Sequence, residues 1–272
     1  MTKTKQEWLL IDGSYFIFYR YYALLNWFKL AKKDQIIDKD NPPCKNEEFV
    51  EKFKKTFISK VVEIKKKLKL DNPIIIVGKD CPRQDIWRMK YLSSYKANRV
   101  YDDSFLGGPF FKMAYNDNLF IKGGANKIMK YPGLEADDCL AIMTKKIKTI
   151  FPEGKITIIT SDMDYLQLSC KNVELYDLKY KKLTERKSSY DNAEKDLFVK
   201  ILTGDKSDNI KGVFKKCGPK TACKYFDNRE LFEEKLNSVE GAMEIYELNK
   251  KIIDFNEIPE ELVKNFLEKY NI

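Results

Sequence analysis

Three short apolar runs, residues 8–11 (WLLI), 74–78 (IIIVG) and 155–160 (KITIIT), each lead within a few positions to aspartate: Asp12, Asp80, and Asp162 with Asp164. Runs this short and this uniformly apolar read as strands buried on both faces, which belong to parallel sheets covered by helical crossovers. The segments between them fit that reading. After Asn46, a candidate N-cap, Phe49, Phe53, Phe57, Val61, Ile64 and Leu68 recur at helical spacing, and Ala136, Leu140, Met143, Ile147 and Ile150 do the same after Pro132-Gly133. Residues 127–131 and 173–176 supply two further candidate strands. The expected fold is α/β, a mostly parallel central sheet with helices on both faces. Such a sheet collects its strand carboxyl ends, and hence these acids, along one edge. Taken alone, Asp12 could equally be a cap for the helix that follows it.

The acids are densest between residues 134 and 168, where Glu135, Asp137 and Asp138 open a helix and Asp162 and Asp164 follow a strand. The helix dipole accounts for one or two of them at an N-terminus but not for three with two more nearby. Like charges held together raise each other's pKa unless a cation neutralises them, and oxygen-only donors select Mg²⁺ or Mn²⁺. The chain has no histidine, which excludes Ser-His-Asp and Cys-His catalysis and His-ligated zinc. Its six cysteines form no CxxC pair and read as reduced thiols rather than as a disulfide frame or zinc site. Chemistry must therefore run on carboxylates, lysines and bound metal.

The net charge of +9 favours a polyanionic partner, although a generally Lys-rich composition gives the same balance. Residues 87–99 (WRMKYLSSYKANR) interleave cations with aromatics, which suits phosphates and stacked bases. On a helix Arg88, Tyr91 and Tyr95 would share one face, with Lys96 and Arg99 as neighbours. Residues 100–109 carry a Gly-Gly-Pro break and read as a mobile loop. A second, helical part is expected from residue 190 to 272, after a core of residues 1–189. In it Asn192 caps a helix, GDKSDNI adds Asp205 and Asp208, and KGVFKKCGPKTACKYF reads as a turn before a helix opened by Pro219. Amides at such a helix start hold phosphate without reading bases, supplemented by Lys215, Lys216, Lys220 and Lys224. With no signal peptide and no 18-residue apolar span, the expected location is intracellular, cytoplasm or nucleus.

LLIDGSYF, WRMKYLSSYKANR, YPGLEADD, TSDMDYLQL, LTGDKSDNI and GPKTA occur in that order between about residues 9 and 225. Together they resemble the 5′-nuclease superfamily of 5′ to 3′ exonucleases and flap endonucleases. The resemblance implies a PIN-like core with a helical DNA-binding subdomain that carries a helix-turn-helix variant. It also implies that Asp12, Asp80, Glu135, Asp137 and Asp138 hold and surround one metal, and that Asp162, Asp164, Asp205 and Asp208 serve a second. Lys96 and Arg99 would be the basic pair above the metals, catalytic together with Asp12 and Asp137. Arg88, Tyr95, Gly212, Lys215, Lys216, Gly218, Lys220 and Thr221 would contact DNA, and the turn would hold a K⁺ ion. In that turn the family commonly reads GxGxKTA, whereas Lys216 stands here in place of the first glycine. The implied activity is phosphodiester hydrolysis by two Mg²⁺ or Mn²⁺ ions about 4 Å apart. Its substrate would be DNA with 5′ ends, flaps or junctions, and the protein a monomer. RNA/DNA hybrids, a PIN-type endoribonuclease and a catalytically silent DNA-binding relative stay open as alternatives.

Overall fold

A computed structural model describes residues 6–99 and 104–271. Its sheet has five parallel strands, β1 (Glu7–Asp12), β2 (Ile74–Gly78), β3 (Lys127–Met129), β4 (Lys155–Ile159) and β5 (Val173–Tyr176), in the order β3-β2-β1-β4-β5. The chain builds outward from β1 through β2 to β3, then returns to the other side of β1 for β4 and β5. The order therefore reverses between β1 and β4, and a crevice opens at such a switch point beyond the strand carboxyl ends.

Alternation along β1 divides the core in two. Leu9 and Ile11 face α1 (Gly13–Ala31), α2 (Glu47–Lys67), α3 (Gly108–Asn116) and α4 (Leu119–Lys122). Trp8 and Leu10 face α5 (Ala136–Ile150). The first layer is dense in aromatic rings: Phe16 and Phe57 lie 4.8 Å apart, and Phe53 and Phe110 4.7 Å apart, both edge to face. Burying each such ring contributes roughly 1.5–3 kcal/mol, which ties α1 and α2 to the sheet. Asn46 caps α2 by accepting from the Phe49 N–H, as its position suggested. Two glycines let the helix starts close on the strand ends. A Cβ on Gly78 would lie 2.7 Å from the Ala136 carbonyl oxygen, and one on Gly13 would lie 2.5 Å from that of Gly78.

The helical part comprises α6 (Ala193–Thr203), α7 (Pro219–Asp227), α8 (Arg229–Ser238) and α9 (Ala242–Ile253) around Phe198, Leu202, Phe214 and Phe232. After α9, Phe255, Ile258 and Phe266 of α10 (Glu260–Lys269) pack into the Trp8 side of the sheet's core. A small cluster, with Cys81, Ile86 and Tyr95 from one part and Ile201, Ile210, Ile252 and Ile253 from the other, seals the seam. All six cysteines are free thiols. Among the described residues no helix is long and apolar enough to cross a membrane.

Candidate metal centre and nucleic-acid interface

Asp12 ends β1 and caps α1, its Oδ1 accepting from the Tyr15 N–H at 3.0 Å, so the helix-cap reading holds. Its other oxygen faces the crevice and takes weaker bonds from Thr160 (3.4 Å) and the Tyr165 hydroxyl (3.3 Å). Burial first, and then the nearby Asp80 carboxylate, push the Asp12 pKa up to about 7. Asp80, two residues beyond β2, accepts from the Ala136 N–H at 2.8 Å and from the Ser14 hydroxyl. One acid thus pins the start of α5, and with it Glu135 and Asp137, to the strand ends.

Two carboxylate groups form on this edge, Glu135 with Asp137 and Asp138, and Asp164 with Asp205 and Asp208. Within each group the ligand oxygens lie within 4.8 Å of one another. Lys96 spans the two, with Nζ 2.5 Å from Glu135 Oε1 and 3.8 Å from Asp208 Oδ2. The Tyr95 hydroxyl lies between the same partners, 3.1 Å from Glu135 and 3.3 Å from Asp208. Arg99 pairs with Asp208 at 2.5 Å, and Lys200 joins Asp164 (2.7 Å) to Asp205 (2.5 Å). Even so, acids are in excess. Burial and then Asp138 hold Asp137 well above the ordinary carboxylate range, and burial and then Asp162 raise Asp164 to about 6. For Glu135 burial also raises the pKa, but Lys96 and Arg88 outweigh it and leave it lowered. An oxygen-only donor set in which acids outnumber the cations that answer them fits hard divalent cations.

Several expected residues sit elsewhere or act otherwise. Residues 87–99 are not one helix: a 3₁₀ turn covers Trp87–Lys90, turns follow, and Lys96 has φ 56°. Arg88 and Tyr95, expected to face DNA, are 2% and 4% exposed. Arg88 donates to Asp138 (2.7 and 2.8 Å), to Glu135 (3.0 Å) and, through Nε, to the Ile252 carbonyl (2.7 Å). These bonds take four of its five N–H donors, and its burial keeps the guanidinium away from a strand lying on the surface. Asp138, fully buried, is correspondingly occupied by Arg88, by Trp87 Nε1 (3.1 Å) and by the Glu135 N–H (3.0 Å), so it braces the group from behind. Asp162 is exposed, caps the turn that follows β4 through the Asp164 N–H (2.9 Å), and joins neither carboxylate group. Lys200 escaped the sequence reading because a lysine on an amphipathic helix looks like an ordinary solvated one; only its spacing five before Asp205 hinted otherwise.

The turn leading to α7 presents Lys215, Lys216, Lys220 and Lys224 to solvent, with Pro219 in the first turn of the helix and Gly218 as its cap. Thr221 is half-buried there. Lys216 has φ 59°, the left-handed backbone that glycine adopts without steric cost. Gly212 passes close under α6, where an added Cβ would lie 3.0 Å from the Thr203 carbonyl oxygen. Of the loop expected at 100–109, residues 100–103 lie outside the described residues.

The chain is 30% identical to a 5′-3′ exonuclease of Mycoplasmopsis pulmonis (strain UAB CTIP), an alignment that covers 100% of this chain and 90% of that protein. It is 29% identical to the ribonuclease H of Enterobacteria phage T4, over 76% of this chain and 73% of that one. Its fold is similar to T5 5′-exonuclease with bound zinc (TM-score 0.68, 18% identity, 97% and 98% of the two chains). It is similar also to the bacteriophage T5 flap endonuclease in complex with DNA and metal ions (TM-score 0.65, 15% identity, 97% of each chain). Residues 7–197 match the family described as 5′-3′ exonuclease, N-terminal resolvase-like domain, and the chain belongs to that family of nucleases.

Proposed function

We propose that the chain hydrolyses DNA phosphodiesters near 5′ ends, flaps and single-strand/double-strand junctions, acts as a monomer and depends on Mg²⁺ or Mn²⁺. The observation that carries this is the pair of carboxylate groups with Lys96 suspended between them. Asp80, Glu135 and Asp137 would hold one ion and Asp164, Asp205 and Asp208 the other, with Asp12 facing the crevice between them. When bound, such cations neutralise charge at the phosphoryl oxygens and acidify a water. The protein's own groups do the rest. Lys96 and Arg99, both aimed at the acids in the free chain, turn to the scissile phosphate and stabilise its growing charge. Tyr95 and the Arg88–Asp138 pair fix Glu135 from behind. Lys215, Lys216, Lys220 and the amides that open α7 grip duplex phosphates without reading bases, and the left-handed Lys216 supports a K⁺ site in that turn.

The involvement of Asp205 and Asp208, which lie outside the α/β core, favours this reading over a PIN-type endoribonuclease. The relative described as ribonuclease H makes RNA/DNA hybrids a second substrate to test. The experiment is digestion of 5′-labelled flap, overhang and hybrid substrates with Mg²⁺ and with a chelator. We expect cleavage of DNA only with the ion, and loss of it in Asp137→Asn. Intact substrates under every condition would overturn the proposal.

A further inference from the structure

The geometry points to a pocket for the 5′-terminal phosphate of the strand being cut, in the cavity between α3, the start of α1 and the end of β2. This rests on the nuclease reading and adds to it a preference among ends. The cavity measures about 280 Å³ and is lined chiefly by Ser14, Lys79, Asp80, Phe111, Lys112 and Tyr115. Through Asp80, which also pins the start of α5, it adjoins the acid-lined crevice.

Its charges are unlike those of the crevice. Lys96, Arg99 and Lys200 each hold carboxylates, whereas Lys79 and Lys112 have none at ion-pair distance among the described residues. Lys79 Nζ instead rests 4.0 Å from the centroid of the Tyr115 ring, and burial and then the nearby Lys130 ammonium lower its pKa. The tyrosine is a fixed wall, its buried hydroxyl lying against Gly13 without a hydrogen-bond partner. Asp80, the one acid in the lining, is engaged by Ser14 and by the Ala136 N–H. Two lysines without a carboxylate partner, Lys112 exposed to solvent and Lys79 over an aromatic wall, match a nucleotide. A phosphate monoester carries about 1.5 to 2 negative charges at neutral pH, more than the single charge of an internal diester, and so answers two lysines better. Pockets for small ligands start at about 300 Å³, so this one takes a single terminal nucleotide rather than a run of strand.

The test compares one oligonucleotide duplex bearing either a 5′-phosphate or a 5′-hydroxyl, in two assays on the full chain. In the first, binding is followed by fluorescence anisotropy in Ca²⁺. We expect the phosphorylated end to bind about tenfold more tightly, as one or two charge-assisted hydrogen bonds give, and the ratio to fall to about one in Lys79→Gln with Lys112→Gln. In the second, cleavage in Mg²⁺ should show the same ratio and the same loss. Equal binding of the two ends by the unaltered protein, or a ratio that survives both substitutions, would overturn the pocket however well the protein cuts. Phosphate-selective binding without any cleavage would uphold the pocket while overturning the nuclease reading.

Discussion

Replacing Arg88 with methionine keeps an unbranched apolar stem, shorter than the arginine, and removes the charge from a site 2% exposed to solvent. The bonds lost are those to Asp138 at 2.7 and 2.8 Å, to Glu135 at 3.0 Å and to the Ile252 carbonyl at 2.7 Å. Summing their separate strengths would overshoot, because a buried ion pair has already given up much of its attraction to desolvation. What remains is the cost of leaving Asp138 buried without its cation, about 3–5 kcal/mol. For a chain of this size that lowers the thermal midpoint by about 10 °C. The loss should shrink at low pH. Burial already raises Asp138 even with Arg88 present, so without it the carboxyl takes up a proton still more readily. An acid with a raised folded-state pKa destabilises as pH rises through that value, so the variant's deficit is smaller near pH 5 than near pH 8. Urea unfolding at the two pH values, with Asp138→Asn and the double variant completing a cycle, should show a coupling of about 2 kcal/mol. A surface arginine that contacts DNA would behave in the opposite way. Stability within about 1 kcal/mol of the unaltered protein, with DNA affinity reduced, would refute the argument.

Lys96→Ala should lower single-turnover cleavage by about 100-fold or more while DNA affinity changes by about threefold or less; a loss confined to affinity would contradict the role given to Lys96. Asp12 predicts a pH dependence in chelator. Its pKa rises from 3.8 to about 7 on folding, so in that window the folded chain binds the extra proton and its stability falls as pH rises, by at most about 4 kcal/mol. Asp12→Asn should remove that slope from urea midpoints, and an unchanged slope would assign the effect to other groups.

The strands and the acids that follow them were legible because both are local: an apolar run, its length and what terminates it all lie within a few residues. Asn46 and Asn192 were read as caps for the same reason, and both accept from the expected amides. Arg88 was not legible. Its nitrogens answer groups 47, 50 and 164 residues away, and nothing beside it in sequence shows that α9 will present the Ile252 carbonyl there. Spacing suggested a helix over residues 88–99, but the hydroxyl of Tyr95 and the amine of Lys96 reach the same two carboxylates. Adjacent helical residues point about 100° apart and could not do so, and the left-handed backbone at Lys96 resolves the conflict. Asp162 shows a different limit: two acids one residue apart look alike in the sequence, but one oxygen of the first caps the turn that carries the second, which spacing alone does not reveal.

The return of α10 to the sheet has a mechanical consequence. The chain passes from the sheet into the helical part before α6 and back again after α9, so two covalent crossings join the bodies where a terminal appendage would have one. A body held at two points cannot wander as a tethered bead does; its easy motion is rotation about the line through them. If the lysines before α7 grip a duplex as proposed, they would approach and leave it along an arc set by the fold. Removing the residues after Ile253 would do more than shorten the protein, since it would free that rotation and at the same time strip Phe255, Ile258 and Phe266 from the packing beneath Trp8.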